Sequence, residues 1–448
     1  MELTLDVRLD GFDNPAGNLI RDENGALSFT YTQNHLSAAN AFPLSLSLPL
    51  TDEPYRDFAA RAFFDNLLQE RDGALKGVMA REGLERDDVA GLLLHLGQDC
   101  PGALSVLPAG AAPVKVPGDL TQDYLPITEE DLTRIVHALH ERRRLPDGVN
   151  DPSPLAGVQS KLAITLLPNG QFAQPIPGTG APTTHLIKVP DSDHPNDAKQ
   201  EAATMDLSRS LGFATAETVA VQIADLEILL VERFDRTHDN QGRIVRVHQE
   251  DFAQALGLPA ALKYERRGNR QRKFDVEGVA RILNRTIEPA VSRDVFVSAT
   301  LFDLITGNVD AHAKNHALLY TAGSVALTPR YDLLPTRLDR NLTDELAYKI
   351  GPAAKIEEIT TAAFDDFLTT LGVSSARARS RIRMANSRRI SAGLAASLQE
   401  LSGKGMKAFA DLIASNMRTL LPALGVEVPE AARHRDAFVE RGGGWAQS

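Results

Sequence analysis

The stretch Thr306-Gly-Asn-Val-Asp-Ala-His-Ala-Lys-Asn315, with Tyr331-Asp332 further on, is the most informative part of this chain. Asp310 and Asn315 have the D-x-x-x-x-N spacing of a catalytic loop for phosphoryl transfer. That chemistry needs an Asp to accept the proton of the attacking hydroxyl, and hard oxygen ligands to hold Mg²⁺. The spacing therefore predicts Asp310 as the base and Asn315 with Asp332 as magnesium ligands. The alternative is a polar loop in which Asp and Asn only cap backbone groups.

A lysine inside an apolar strand lies upstream of this loop. Lys188 belongs to the strand predicted at 185–189, and a helix is predicted to follow from about 196 to 211. In kinases a strand lysine neutralises the α/β-phosphates and pairs with a glutamate of the next helix. Glu201 is the candidate partner. The alternative leaves Lys188 as a solvated residue on an alternating face.

Two further strands precede the segment Glu232-Arg-Phe-Asp-Arg236. Residues 217–223 and 226–231 are predicted to form a hairpin. In a kinase, the stretch that leaves the last strand of the small lobe is the hinge, whose backbone hydrogen-bonds adenine. Phe234 would then pack on the base. The alternative is a strand end with a salt-bridged rim.

These motifs together resemble the HipA-type serine/threonine kinases, the toxin halves of bacterial HipA/HipB toxin–antitoxin pairs. The likeness spans residues 1 to about 435 in consistent order, and segments such as Ser28-Phe-Thr-Tyr31 resemble the HipA N-terminal domain. Its strongest parts are 156–161, Lys188, 232–236, 248–251, 307–315 and 331–334.

The resemblance implies an enzyme that uses ATP and Mg²⁺ to phosphorylate a serine of a protein. Phosphorylation by the toxin would block translation and growth, which links the family to bacterial persistence. The family's type substrate is glutamyl-tRNA synthetase, so an aminoacyl-tRNA synthetase is the expected kind of protein substrate. The expected partner is a HipB-like helix-turn-helix antitoxin, and operator DNA would be reached only through the antitoxin complex.

The resemblance also implies roles for single residues. Asp310 would be the catalytic base, and Asn315 and Asp332 would bind Mg²⁺. The residues expected at the nucleotide are Ala156, Gly157, Val158, Gln159, Ser160, Lys161, Lys188, Glu232, Arg233, Phe234, His312, Ala313, Lys314, Asn315, Tyr331, Asp332, Leu333 and Leu334. The phosphate loop departs from the G-x-G-x-x-G of ordinary protein kinases. Phosphate binding would therefore rest on backbone N–H groups with Lys161 and Lys188.

Family members commonly carry a serine three positions before the loop glycine, and its autophosphorylation ejects the loop and silences the enzyme. Here that position is Pro154, and the serine stands one step earlier, at Ser153. Because Pro152 and Pro154 restrict the backbone, we expect the hydroxyl to point elsewhere than in the family pattern. We expect Ser153 to take over as the phosphosite. The alternatives are an enzyme without the switch, or use of Ser160.

We predict an α+β, two-lobed, protein-kinase-like fold, in which a β-rich N-terminal domain and a nucleotide lobe precede a mainly helical C-terminal lobe. The boundaries expected are 1–110 for the N-terminal domain and 121–235 for the nucleotide-binding lobe. The catalytic and helical lobe is expected at 236–435, and a disordered tail at 436–448. The basic segment 263–273 is predicted to be a mobile loop, and Glu250 and Asp251 are assigned no chemistry.

The composition limits the possible functions. The 448 residues carry a net charge of −11, which argues against a protein that binds nucleic acid over its whole surface. The single cysteine, Cys100, excludes an intramolecular disulfide and a cysteine metal cluster. No signal peptide or apolar run long enough to span a bilayer is recognisable, so a cytoplasmic location without membrane attachment is expected.

A local positive patch interrupts this acidic chain. Six arginines crowd into thirteen residues: Arg377, Arg379, Arg381, Arg383, Arg388 and Arg389. They indicate either a solvated helix face or contact with nucleic-acid phosphates, for which Arg379, Arg381 and Arg383 are the candidates.

Two other functions stay open. One is a small-molecule kinase of the aminoglycoside- or choline-phosphotransferase kind, which also uses an Asp-x-x-x-x-Asn loop. The other is a non-catalytic co-repressor that only binds antitoxin and operator. The hinge sequence and the N-terminal domain argue against the first, and the intact set of Asp310, Asn315, Asp332 and Lys188 argues against the second.

Overall fold

The computed structural model describes residues 2–69, 72–146, 149, 160–321 and 324–433. Over these residues the chain has an α+β, kinase-like fold of two lobes, preceded by an N-terminal α+β unit. Ser153, the loop residues 156–159 and the tail at 436–448 lie outside the described residues. The predictions made for them stay predictions.

The N-terminal domain is a five-stranded antiparallel sheet in the order β4-β3-β2-β1-β5, with helices packed against it. Asn24-Gly25 lies in a hairpin turn, where Arg21 pairs with Leu27 and Gly25 has a φ of +83°. Its elements are β1 (Leu3–Leu9), β2 (Gly17–Arg21), β3 (Leu27–Tyr31), α1 (Gln33–Leu36), β4 (Tyr55–Arg56), α2 (Asp57–Phe64), α3 (Asp72–Glu82), α4 (Val89–Leu96) and β5 (Leu104–Pro108).

The small lobe is a six-stranded sheet in the order β10-β11-β9-β7-β8-β6, and the predicted hairpin of β10 and β11 is confirmed. Apolar side chains of α5 pack on one side of this sheet, while α6 joins the core of the large lobe. Its elements are β6 (Tyr124–Pro126), α5 (Glu129–Arg142), β7 (Ser160–Leu166), β8 (Phe172–Pro175), β9 (His185–Val189), α6 (Asp197–Ser210), β10 (Thr218–Ile223) and β11 (Leu226–Glu232).

The large lobe is mainly helical and contains a three-stranded sheet in the order β14-β15-β16. Its elements are β12 (Arg236–His238), β13 (Ile244–Arg246), β14 (His248–Asp251), α7 (Phe252–Ala255), α8 (Val276–Leu283), α9 (Pro289–Thr306), β15 (Ala317–Thr321), β16 (Ser324–Leu327), α10 (Thr361–Thr370), α11 (Ala376–Ala396), α12 (Leu398–Gly403), α13 (Lys407–Ala423) and α14 (Glu430–Arg433). Thr360 caps α10 after a separate turn, and Ser397 divides α11 from α12.

The end of α9 is the point at which the fold presents the catalytic loop. Gly307 ends the helix in the left-handed region, with a φ of +81°. A Cβ at this position would lie 2.7 Å from Leu412 Cδ2, so glycine is favoured both by conformation and by space. The loop that follows leads into the β15–β16 hairpin, which returns the chain to Asp332. Among the described residues, no helix combines the length and apolar character needed to cross a bilayer.

Candidate active site

Lys188 links the two lobes at the cleft. Its ammonium lies 2.6 Å from Glu201 Oε1 on α6 and 2.5 Å from Asp332 Oδ1, which follows the β15–β16 hairpin. The Lys188 and Glu201 side chains are only 8% and 2% exposed, whereas the Asp332 side chain is 42% exposed. The structure therefore brings together the strand lysine, the helix glutamate and the second carboxylate that the sequence singled out.

The charges of this cluster stabilise one another. Burial by itself would lower the pKa of Lys188, but the Asp332 and Glu201 carboxylates outweigh it and raise that pKa above its usual range. Shielding from water would raise the pKa of Asp332, but the Lys188 ammonium, with a smaller contribution from Lys161, lowers it below its usual range. At neutral pH the cleft therefore holds a charged lysine beside an ionised aspartate.

Asp332 adopts a backbone conformation that L-residues rarely take. Its φ is +58°, in the left-handed region, where a non-glycine residue is uncommon and where strain is often found at functional sites. The preceding Tyr331 donates its hydroxyl to the backbone oxygen of Lys314 at 2.7 Å. This hydrogen bond joins the Asp332 segment to the catalytic loop.

Within the loop, the Asn315 side chain is oriented by a hydrogen bond to the backbone of Asp310. The Asn315 amide nitrogen donates to the backbone oxygen of Asp310 at 2.9 Å, which commits the nitrogen and leaves the amide oxygen as the available ligand. Asn308 Oδ1 accepts the Asp310 N–H at 3.2 Å and receives support from Asp303, which binds Asn308 and Arg330. These contacts therefore anchor the loop to the end of α9, which carries Asp303.

The carboxylate of Asp310 has a partner that sequence reasoning missed. Tyr264 donates its hydroxyl to Asp310 Oδ1 at 2.6 Å. Arg266 lies over the Tyr264 ring at 4.1 Å, and the His312 ring meets its edge at 5.0 Å. Burial raises the pKa of Asp310, and the Tyr264 hydrogen bond opposes this by stabilising the ionised carboxylate. The available signal was an aromatic residue within a run of basic residues, and no local pattern indicates that its hydroxyl lies near Asp310.

The hinge residues are only partly available to a ligand. The Arg233 guanidinium is buried against Asp235, with Nη2 2.9 Å from Oδ2, and the backbone N–H groups of Glu232 and Arg233 donate to Glu217 and Thr184 oxygens. The expectation that Arg233 borders the nucleotide is therefore corrected for its side chain. Phe234 is half-buried, and its ring lies 5.3 Å from that of Tyr331. Together these two rings form an aromatic wall of the cleft.

Several loop residues expected at the nucleotide point elsewhere. The Lys314 ammonium is buried against Asp251, and the Ala313 and Leu333 side chains lie in the large-lobe core. Burial lowers the pKa of His312 well below its usual range, so its ring is neutral and offers phosphate no charge. The Lys314, Ala313 and Leu333 side chains therefore support the loop from within the protein and do not contact a ligand directly.

The metal-ligand set fits magnesium in kind. Among the described residues, no three His, Cys, Asp or Glu side chains come together to hold a metal. Mg²⁺ usually takes one or two protein carboxylates and completes its shell with water and substrate phosphates. The Asp332 carboxylate and the Asn315 amide oxygen are donors of that type. β7 begins with Ser160 and Lys161, which pair with Val189 and Lys188 of β9. The start of β7 therefore lies next to Lys188.

One of the arginines proposed for DNA is excluded by its packing. Arg383 is 7% exposed, pairs with Asp365 at 3.0 Å and donates to the Leu424 backbone oxygen at 2.5 Å. Because it is needed inside the large lobe, its assignment as a phosphate contact is wrong. Arg379 donates to backbone oxygens at the start of α11, whereas Arg381 is exposed.

A two-lobed fold in which an ion-paired strand lysine faces a D-x-x-x-x-N loop defines a kinase-like protein. Residues 153–392 match the family described as HipA-like C-terminal domain, and residues 5–107 match the HipA N-terminal domain. The chain therefore belongs to the HipA family, as the sequence motifs predicted.

Known relatives agree with this assignment. The chain is 34% identical to the Y4mE protein of Sinorhizobium fredii, provisionally named as a kinase, over 82% of this chain and 86% of that protein. It is 30% identical to the serine/threonine-protein kinase toxin HipA of Shewanella oneidensis, over 78% and 81% of the two chains. The HipA chain in a complex of Shewanella oneidensis HipA, HipB and operator DNA matches with a TM-score of 0.76 at 25% identity, covering 95% of this chain and all of that one.

Proposed function

We propose that the protein transfers the γ-phosphate of ATP, with Mg²⁺, to a serine of another protein. The observation that carries this proposal is the Lys188 ammonium held between Glu201 and Asp332 at the mouth of the catalytic loop. An ammonium has three N–H donors. Two of them meet carboxylates in the described part of the chain, and we assign the third to a phosphate oxygen of ATP.

In the proposed reaction, Asp310 accepts the proton of the serine hydroxyl. The serine oxygen forms a bond to the γ-phosphorus, the bond from that phosphorus to the β–γ bridging oxygen breaks, and ADP leaves. Burial raises the pKa of Asp310, which makes it a better proton acceptor, while Tyr264 keeps it ionised in the resting site. Mg²⁺, held by Asn315 and Asp332, would neutralise phosphate charge.

Phosphate binding is assigned to positive charge from two neighbouring strands. Lys161 and Lys188 are direct partners in the β7–β9 register. The backbone N–H groups of 156–159 complete this proposed site. The adenine is placed beside Phe234 and Tyr331, whose ring centroids lie 5.3 Å apart.

We propose a HipB-like helix-turn-helix protein as the antitoxin partner, and operator DNA as a ligand of that complex. Support comes from the relative of known structure, which is a complex of HipA with HipB and operator DNA. We assign the phosphorylated protein to the aminoacyl-tRNA synthetases on family resemblance, with a cytoplasmic site of action and a block of translation as the consequence. The same resemblance supports domains at 1–110, 121–235 and 236–435.

The test is incubation of the purified protein with [γ-³²P]ATP, Mg²⁺ and a cell lysate, followed by identification of labelled species by mass spectrometry. We expect phosphoserine in one protein. Label on a small metabolite alone would refute a protein kinase and favour the small-molecule alternative. Absence of any transfer, together with operator binding by the antitoxin complex, would favour the co-repressor.

The same incubation tests the regulatory proposal for Ser153. We propose that it is autophosphorylated and that the modified loop leaves the ATP site, because a phosphate adds nearly two negative charges beside bound phosphates. Phosphate on Ser153 that is absent from Asp310→Asn protein would support the switch. An unmodified 151–161 peptide from an active enzyme would refute it.

A further inference from the structure

The side chain of Lys314 leaves the catalytic loop and ends in the N-terminal domain. Its ammonium donates to Asp251 Oδ2 at 2.5 Å, to Asn66 Oδ1 at 3.0 Å and to the Asn66 backbone oxygen at 3.4 Å. The Lys314 side chain is 6% exposed. A buried ammonium therefore ties the residue next to Asn315 to a part of the chain 248 positions away.

Asn66 is itself fixed in one orientation. It lies in the turn after α2 and is 2% exposed. Its amide nitrogen donates to the backbone oxygens of Ala62 at 2.7 Å and Leu258 at 2.8 Å. Because these two carbonyls require the nitrogen, the amide oxygen must face Lys314. The contact is thus specified by the surrounding backbone.

Two further hydrogen bonds restrain the surroundings of Lys314 and connect it to the Asp332 segment. Asp251 accepts the Gln254 N–H at 2.9 Å as the cap of α7, so it cannot follow a displaced ammonium freely. On the other side, the Lys314 backbone oxygen accepts the Tyr331 hydroxyl at 2.7 Å. A shift at Asn66 would therefore reach both the loop and the Asp332 segment.

The energetic reason for this arrangement is the charge. A buried ammonium is destabilising unless each of its donors has a partner, so losing Asn66 would pull the Lys314 side chain towards a different position. Displacement of a catalytic constellation by about 1 Å can lower the rate about a hundredfold. The effect should fall on the chemical step, because Lys314 itself does not line the cleft.

We infer that Asn66 is a positioning residue for the catalytic loop, through which the N-terminal domain completes the active site. It acts on Asp310 and Asn315 through Lys314. The inference rests on the proposed kinase function and names a role for a domain that supplies no group to the cleft in that proposal.

The structure offers a matched control for domain attachment. Ser45 Oγ donates to Glu250 Oε2 at 2.5 Å, and the Leu46 N–H donates to Glu250 Oε1 at 2.9 Å. This is also a buried polar contact between the N-terminal domain and the large lobe, but it does not touch the catalytic loop. Ser45→Ala therefore weakens domain attachment without removing a partner of Lys314.

The experiment compares Asn66→Ala, Lys314→Met, the double variant and Ser45→Ala. One readout is the kcat for transfer of label from Mg·[γ-³²P]ATP to the lysate protein that the wild-type enzyme labels. The second is the Kd for Mg·AMP-PNP by calorimetry. The third is hydrogen exchange of a 307–316 peptide without nucleotide, which needs no phosphoryl transfer.

We expect Asn66→Ala to lower kcat by about tenfold to a hundredfold, to leave the Kd within about twofold, and to speed exchange in the loop peptide. The double variant should be no slower than Lys314→Met, because both remove one contact. Ser45→Ala should keep wild-type kcat and exchange. If Asn66→Ala does not fold, faster loop exchange and lower kcat in Lys314→Met support the inference, and wild-type values overturn it.

Three results would overturn the inference: wild-type kcat in Asn66→Ala, an equal loss in Ser45→Ala, or independent effects in the double variant. A wild-type enzyme that labels no protein would refute the kinase proposal instead. In that case, loop exchange that is faster in Asn66→Ala than in Ser45→Ala would still support the positioning contact, and equal exchange would overturn it.

Discussion

Replacing Tyr264 by Phe removes one hydroxyl and the 2.6 Å hydrogen bond to Asp310 Oδ1. The ring itself should stay, because Arg266 at 4.1 Å and the edge-on His312 ring hold it in place. Asp310 accepts a proton only when it is ionised. The lost bond stabilises that form, so the pKa of Asp310 should rise in the variant, beyond the increase that burial already causes.

The size of the effect follows from the kind of bond. A hydrogen bond to a charged group contributes about 1.5–3 kcal/mol, and the lower end suits a tyrosine that is only half-buried. About 1.4 kcal/mol corresponds to a tenfold change in rate. We therefore expect phosphoryl transfer to be about tenfold slower than wild type on the acidic limb of the pH–rate profile. On the alkaline plateau, where Asp310 is ionised in both proteins, the rates should agree within about twofold.

The assay is the initial rate of label transfer from saturating Mg·[γ-³²P]ATP between pH 5.5 and 8.5. Tyr124→Phe is a matched control, because that hydroxyl donates to the Pro182 backbone oxygen at 2.7 Å, outside the cleft. Its profile should coincide with that of the wild type. An acidic limb that stays in place, or moves to lower pH, in Tyr264→Phe would refute the role assigned to the bond.

Three further predictions concern charge, metal and DNA. Lys188→Met should lower the free energy of unfolding in urea by about 3–5 kcal/mol, because it leaves Glu201 buried and unpaired. Adding Glu201→Leu should restore most of this free energy. An equal loss in the single and the double variant would contradict the prediction. Asn315→Ala and Asp332→Ala should each abolish the Mg²⁺-dependent part of ATP affinity in calorimetry, and unchanged binding in both would show that the metal ligands are wrong. Arg381→Ala should weaken operator binding by the antitoxin complex and reduce the slope of log K against log salt by about one, with kinase activity unchanged; an unaltered slope would leave Arg381 as ordinary helix surface.

The sequence predicted those parts of the site that follow from patterns over short stretches of the chain. The loop from Asp310 to Asn315 has a fixed spacing, and Gly307 marks the helix end before it. Lys188 stands out because a charge interrupts an apolar strand. Its pairing with Glu201 follows from one strand and the next helix, which are only 13 positions apart.

What the sequence could not predict depends on packing between distant segments. Tyr264 meets Asp310 across 46 positions, and nothing in a run of arginines indicates which aromatic hydroxyl will face the base. Arg383 was misassigned because it lies on the side of α11 that faces α10, where it pairs with Asp365. The local charge pattern does not indicate which side of α11 is buried. Lys314 was expected at the nucleotide from its place in the family motif, but its ammonium contacts Asn66, which belongs to another domain.

In the proposed reaction, Asp310 acts as the base for phosphoryl transfer to a protein serine. The most direct measurement is the rate of label transfer from Mg·[γ-³²P]ATP by wild type and Asp310→Asn, with nucleotide affinity measured on the same preparations. We predict a loss of about 10²–10⁴-fold in rate, as expected for removal of a general base, with ATP binding largely intact. A wild-type rate of serine phosphorylation in Asp310→Asn would contradict the mechanism.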